Sequence, residues 1–203
     1  MNHLSLFDGC SCYRVACDRA SVPITNYFAS EIDPYAIKVS SANWKDIKQI
    51  GDVRQVSSQL DNLPKFDVVV GGSPCQGFSF AGKQLNFEDP QSKLFFEFIK
   101  LRDLIMPKYI LLENVRMSQT SQDIISEYMG FQPQAINSSL VAAQNRYRLY
   151  WWGKLVKGKY VQITIPPMTD LGIVMQDILE DGCATDVMTS KEGKSYCITA
   201  RYN

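Results

Sequence analysis

Val68-Val69-Val70-Gly71-Gly72-Ser73-Pro74-Cys75-Gln76-Gly77-Phe78-Ser79 is the stretch on which the reading of this chain turns. Three β-branched residues in a row predict a buried strand. The run breaks at Gly71-Gly72 and sets a cysteine just beyond the strand end. In open α/β sheets, ligands bind in the crevice outside the carboxyl ends of the strands. A thiol at that place, between a proline and a polar amide, is a candidate nucleophile.

Working outward, the chain alternates strand and helix signals. Upstream, the sequence predicts a strand over Leu4–Phe7, a turn at Asp8-Gly9-Cys10-Ser11 and a helix from Cys12 to Ala20. A second strand, Thr25–Ser30, ends in Glu31-Ile32-Asp33, and Pro34 opens a helix through about Asn43. Glu31 stands roughly 20 residues past the first turn, where Rossmann-like sites hold ribose hydroxyls. An isolated carboxylate there also serves as a helix cap. Ile47–Ile50 is short, Asp52 lies in a loop, and Val56–Leu63 reads as a helical turn before Pro64.

Downstream, the segment from Gly72 to Pro90 reads as a long functional loop. Gln91–Ile105 is a strong helix, with Leu94, Phe95, Phe98, Leu101 and Ile105 on one face. Tyr109–Leu112 is a strand with Glu113-Asn114-Val115 at its carboxyl end, and Gln119–Met129 is a helix stopped by Gly130. Phe131–Asn137 reads as extended. Gln144–Gly153 alternates arginine and aromatic residues, as a two-faced strand does. Residues 144–159 hold five basic residues and no acid, a local footprint for a polyanion or a solvated edge strand. Val174–Leu179 reads as a short amphipathic helix, and Met188–Asn203 is polar without clear periodicity.

The order of elements predicts an α/β fold: a mostly parallel, Rossmann-like sheet with helices on both faces. Net charge is zero, which removes a global basic field but leaves a local patch open. The start of the chain lacks a basic and long apolar leader, and no apolar run approaches the roughly 18 residues of a membrane span. The expectation is therefore a cytoplasmic protein without membrane contact. Its six cysteines are then mostly reduced. Cys10, Cys12 and Cys17 cluster, but with a single histidine in the chain they read as small buried thiols rather than a metal site.

These residues together resemble the DNA (cytosine-5) methyltransferases. The resemblance rests on Phe7-Asp8-Gly9, Glu31, Asp52, Gly72 through Ser79, Glu113-Asn114-Val115 and Gln144-x-Arg146-x-Arg148, in that order. It implies a S-adenosylmethionine-binding methyltransferase fold over residues 1–155. Residues 156–203 are then a linker and the beginning of an incomplete target-recognition region. It implies that Cys75 attacks C6 of a flipped-out cytosine, that Glu113 holds N3 and the exocyclic amine, and that Arg148 contacts O2. Arg146, Asn114 and Pro74 would steady the loop. The donor would rest on Phe7, Asp8, Gly9, Glu31, Ile32, Asp52, Val53, Ser73 and Pro74, and leave as S-adenosylhomocysteine. Gln76, Ser79, Gln144, Arg146 and Arg148 would meet double-stranded DNA.

Two departures from the family stand out. Ser11-Cys12 replaces further glycine in the first turn. The recognition region and the final returning segment are largely missing, so a second chain would supply them or the sequence is a fragment. A bacterial modification enzyme with a restriction partner, an orphan methylase and a phage self-protection enzyme all fit. A regulatory, methyltransferase-like module that binds DNA or a partner is the alternative reading.

Overall fold

The three-dimensional structure is a computed structural model that describes residues 1–74, 90–180, 182, 190 and 192–196, with the backbone alone for 90–92. Its strands and helices are β1 (Asn2–Leu6), α1 (Cys12–Arg19), β2 (Asn26–Ser30), α2 (Pro34–Asn43), β3 (Ile47–Gln49), α3 (Val53–Gln59), β4 (Val68–Gly71), α4 (Pro90–Ile105), β5 (Tyr109–Val115), α5 (Gln119–Met129), β6 (Gln134–Asn137), β7 (Gln144–Asn145), β8 (Tyr147–Val156), β9 (Lys159–Gln162) and β10 (Ser195–Tyr196).

The main sheet runs β3-β2-β1-β4-β5-β8-β6, with β9 beside β8. The first five strands in that order are parallel, and β8 is antiparallel to both β5 and β6. Successive crossovers move one way from β1 to β3, then the other way from β4 to β5. Right-handed crossovers therefore put α1 and α2 on one face and α3, α4 and α5 on the other. Side-chain contacts agree. Arg14 of α1 lies 4.2 Å over the Trp44 ring that ends α2. Phe95 and Phe96 of α4 meet Tyr128 of α5 edge to face.

The core follows the apolar pattern of the sequence. Phe95, Phe98 and Leu101 of α4 are fully buried with Leu4, Val69, Ile110, Leu112 and Trp151 of the sheet. Gly71 ends β4 because a Cβ there would come within 2.9 Å of the Phe98 ring. Asp33 and Asp52 cap α2 and α3 by accepting from the backbone N–H of Tyr35 and Arg54.

Several boundaries differ from the sequence reading. α3 starts at Val53 rather than Val56, because Asp52 supplies its cap. β5 runs on through Glu113 to Val115, because β8 pairs with it as far as Val115↔Arg148. The arginine–aromatic strand is divided at Arg146 into β7 and β8. The helix expected over Val174–Leu179 is only a 3₁₀ turn, Met175–Asp177. Of the three thiols expected to be buried, Cys10 and Cys12 are exposed, because they lie in the turn and on the first residue of α1, while Cys17 is buried. The Gly72–Pro90 loop beyond Pro74 and most of Met188–Asn203 lie outside the described residues.

The first turn is built without the glycines expected of it. Phe7 and Ser11 both take positive φ, 56° and 63°, as does Gly9 at 57°. Left-handed backbone costs a non-glycine residue about 1–2 kcal/mol. Buried polar bonds offset this. Ser11 Oγ donates to Asp8 Oδ2 and shares a 2.6 Å bond with Ser40 Oγ of α2. Tyr27 OH donates to Asp8 Oδ1 at 2.6 Å. The turn after β1 is thus tied to β2 and α2 through one buried carboxylate. Tyr27→Phe would leave Asp8 Oδ1 without that donor and is expected to destabilise the protein by about 1–3 kcal/mol, read as a lower denaturation midpoint.

A second buried group gives a pH dependence. His3 of β1 has no exposed surface, and its Nδ1 lies 2.9 Å from Tyr13 OH. Burial, helped by the N-terminal ammonium, holds its imidazole down at about 4 against an ordinary 6.5. Between these values the unfolded chain takes up a proton that the folded chain refuses. The contribution of His3 is therefore complete above pH 6.5 and falls by about 3 kcal/mol as pH drops to 4. Urea denaturation of wild type and His3→Gln should show their stability difference shrinking over that window; a difference constant from pH 7 to 4 would contradict the assignment.

Candidate active site

The sheet reverses its direction of winding between β1 and β4, which are hydrogen-bonded neighbours. The turns leaving these two strands consequently diverge and open a crevice at their carboxyl ends. Leu6 pairs with Gly71 across this point, so Phe7-Asp8-Gly9 and Gly72-Ser73-Pro74 leave the sheet side by side. β2 and β3 deliver Glu31 and Asp52 to the same edge, and β5 delivers Glu113 and Asn114.

On the β1–β3 side, Glu31 bridges two turns. Its Oε2 accepts from Gly9 N at 2.7 Å, and its Oε1 accepts from Ile32 N at 2.7 Å and Asp33 N at 2.9 Å. Each carboxylate oxygen has two lone-pair sites, so Oε1 is filled and Oε2 can take one further donor. Ile32 beside it is 67% exposed, an apolar side chain held out over the edge. Ser30 Oγ donates to Gly51 O at 2.7 Å and joins the β2 end to the turn that carries Asp52. Arg54 embraces the Asp52 carboxylate and holds it below the usual carboxylate range. Val53 is buried in the core, whereas nothing stands within 4 Å of a Cβ built on Gly9.

On the β4–β5 side, Glu113 is the centre. Arg148 Nε lies 3.0 Å and Arg146 Nη2 3.7 Å from its Oε1. Glu113 Oε2 comes within 3.3 Å of a Cβ built on Gly72, so the carboxylate lies against bare backbone there. The neighbouring Asn114 is buried; its Nδ2 points to Ser73 O and Oγ at 3.4 Å, and its Oδ1 accepts from Val115 N at 2.8 Å. Ser73 is buried and Pro74 partly so. Gln144 opens β7, and its carbonyl accepts from Ser138 Oγ at 2.7 Å. Cys75, Gln76 and Ser79 lie outside the described residues.

The geometry therefore gathers Glu113, Asn114, Arg146, Arg148, Gly72 and Ser73 at one end of the crevice, and Phe7 to Gly9, Glu31, Ile32 and Asp52 at the other. Chemically this is a carboxylate flanked by two guanidinium groups, with two further carboxylates, Glu31 and Asp52, and the exposed Ile32 side chain along the same edge of the sheet. Asp8 faces inward, its oxygens taken by Ser11 and Tyr27. Tyr150 was missed in the sequence reading. It stands directly opposite Glu113 across the β5–β8 pair, and burial together with the Glu113 charge raises its phenol pKa. The period of two from Arg146 through Arg148 was the signal that would have found it.

Comparison with known proteins places this geometry. The family model for C-5 cytosine-specific DNA methylases matches residues 1–197. The chain is 32% identical to the type II methyltransferase M.NlaIV of Neisseria lactamica over 205 residues, covering 90% of this chain and 47% of that protein. It is 36% identical to the type II methyltransferase M.BanI of Aneurinibacillus aneurinilyticus over 167 residues, covering 75% of this chain and 38% of that one. The chain thus spans less than half the length of either relative. In fold it is similar to the S. pombe Dnmt2 methyltransferase, with a TM-score of 0.63 and 21% identity over 78% of this chain and 52% of that chain. With its parallel sheet, its switch-point crevice and a family match over nearly its whole length, the chain belongs to the C-5 cytosine-specific DNA methylase family.

Proposed function

We propose that this chain carries the catalytic region of a DNA (cytosine-5) methyltransferase that uses S-adenosylmethionine. The observation that carries the reading is the placement of Glu113. Its carboxylate is paired with Arg148 at 3.0 Å and rests against Gly72, three residues before Cys75. An acid so placed can grip one face of a planar, hydrogen-bonding ring beside a thiol.

The residues fit the methyl donor. Glu31 offers the free acceptor site of Oε2 to a ribose hydroxyl, Ile32 an apolar platform for adenine, and Asp52 an acceptor for its amine. Gly9 leaves the approach open, while Phe7, Val53, Ser73 and Pro74 shape the walls and Asp8 sets the turn from inside. S-adenosylmethionine, when bound, supplies an electrophilic methyl group on a sulfonium.

Cytosine C5 is too weak a nucleophile to take that methyl group unaided, and the chain's residues correct this. The Cys75 thiolate forms a bond to C6, and the electron pair displaced from the C5–C6 double bond makes C5 nucleophilic. The Glu113 carboxyl accepts from the exocyclic amine and, carrying a proton, donates it to N3, which neutralises the negative charge that the addition creates. Arg148 holds O2, while Arg146 pairs with Glu113, and Asn114 braces Ser73-Pro74. After C5 gains its methyl group, its proton goes to solvent, the C5–H electron pair re-forms the C5–C6 double bond, and the C6–sulfur bond breaks with its pair on sulfur, which restores the Cys75 thiolate and the aromatic ring. The target cannot react within a duplex, so it is flipped out. Gln76, Ser79 and Gln144, with the basic stretch of β7 to β9, would meet the DNA that surrounds it.

The test is transfer of a labelled methyl group from S-adenosylmethionine to duplex DNA, with variants in parallel. Wild type should label cytosine C5, and Cys75→Ala should fall to background. Glu113→Gln, which loses the charge but keeps the shape, should lower the rate by about 10²–10³-fold. Labelling that survives Cys75→Ala overturns the nucleophile.

A further inference from the structure

Lys194 is 8% exposed, and no carboxylate pairs with it among the described residues. Its ammonium donates instead to three backbone carbonyls: Ser139 O at 2.7 Å, Ala142 O at 3.4 Å, and Ile173 O. An ammonium has three donors and no acceptor, so this cage saturates it. Burying a charge is costly unless its donors are all used, and here they are.

The carbonyls belong to two separate segments, and Lys194 brings a third. Neighbouring backbone bonds complete the weld. Ser195 N donates to Ala143 O at 2.7 Å, Met175 N to Gly193 O at 2.8 Å and Leu171 N to Leu140 O at 2.8 Å. β10 then lies parallel to β7, with Ser195 beside Gln144.

From the caged loop the constraint passes to the arginines. Asn137 Oδ1 accepts from Arg146 N at 3.0 Å, and Ser138 N donates to Arg146 O at 3.1 Å. Asn137 Nδ2 also donates to Asn145 Oδ1 at 2.8 Å. Both backbone groups of Arg146 are thus held by the residues immediately before the carbonyls that Lys194 gathers.

Building on the methyltransferase reading, we infer that Lys194 is a positioning residue whose buried ammonium clamps the Ser139–Ala142 loop, and through it holds Arg146 and Arg148 against Glu113. Without the cation the three carbonyls lose their shared donor. The loop then opens and the arginine strand loses its register at Glu113. The donor pocket, at the other end of the crevice, is unaffected.

The test uses the full-length protein with Lys194→Met and Lys194→Arg. Amide hydrogen exchange over residues 138–146 is expected to speed up at least tenfold in Lys194→Met. Exchange over residues 7–11 and affinity for S-adenosylhomocysteine should stay within twofold. The kcat for methyl transfer should fall at least tenfold, and Lys194→Arg, which keeps the charge, should recover most of both changes. If Lys194→Met speeds exchange throughout the chain, it has misfolded, and Lys194→Gln, which retains two donors, decides by the same criteria. Unchanged exchange over 138–146, or faster exchange there with unchanged kcat, overturns the proposal. If wild type transfers no methyl group while the exchange pattern holds, the methyltransferase reading fails and the loop clamp survives it.

Discussion

β8 runs against β5, and this antiparallel pairing sets Tyr150 opposite Glu113 and Arg148 opposite Val115. Directly opposed residues share a face of the sheet, and a period of two puts Arg148 and Tyr150 on that face together, while Arg146, between β7 and β8, reaches the same carboxylate. Glu113 is thereby supplied with its cationic partners by a strand that returns from the far end of the chain. With Glu113 side-chain exposure at 30% and Arg148 at 15%, the pair is partly screened by water. A ring seated on it would remove that water and strengthen the field at the moment charge develops. The other parts of the site are arranged around this pair: Gly72 makes room for the carboxylate, and Asn114 ties the adjoining turn to the same strand.

The β1–β3 side of the crevice depends on a different kind of constraint. The turn after β1 takes left-handed backbone at Phe7 and Ser11, a conformation that favours glycine. The Ser11 hydroxyl, Ser40, Tyr27 and Asp8 form one buried polar cluster that offsets the strain. A fully satisfied cluster of this kind specifies one backbone geometry where glycine would allow several. Ser11 thus holds a left-handed backbone through side-chain hydrogen bonds rather than through glycine's conformational freedom.

Much of this was legible in the sequence. The β-branched run at Val68–Val70, the proline after Asp33 and the apolar face of α4 each reflect local chemistry, and each element formed where that chemistry pointed. The strand ends that carry Glu31, Glu113 and the turn before Cys75 followed from the same alternation. What was not legible came from distant partners. The length of β5 is set by β8, the start of α3 by the Asp52 cap, and the bond between Glu31 and Gly9 by the neighbouring of β1 and β2. The amphipathic look of Val174–Leu179 failed as a helix because its backbone is drawn to Gly193 and to the Lys194 cage instead. No local pattern announces that a lysine is buried among carbonyls.

In the proposed mechanism the thiol following β4 attacks the ring held by Glu113 and Arg148. The most direct measurement is a covalent trap: duplex DNA with 5-fluorocytosine in place of cytosine, S-adenosylmethionine, and peptide mapping of the adduct by mass spectrometry. Fluorine at C5 cannot leave as a proton does, so the C6–sulfur bond should persist, with the DNA on the peptide that contains Cys75. An adduct on any other cysteine, or methyl transfer to ordinary DNA with no adduct on the fluorinated duplex, would contradict it.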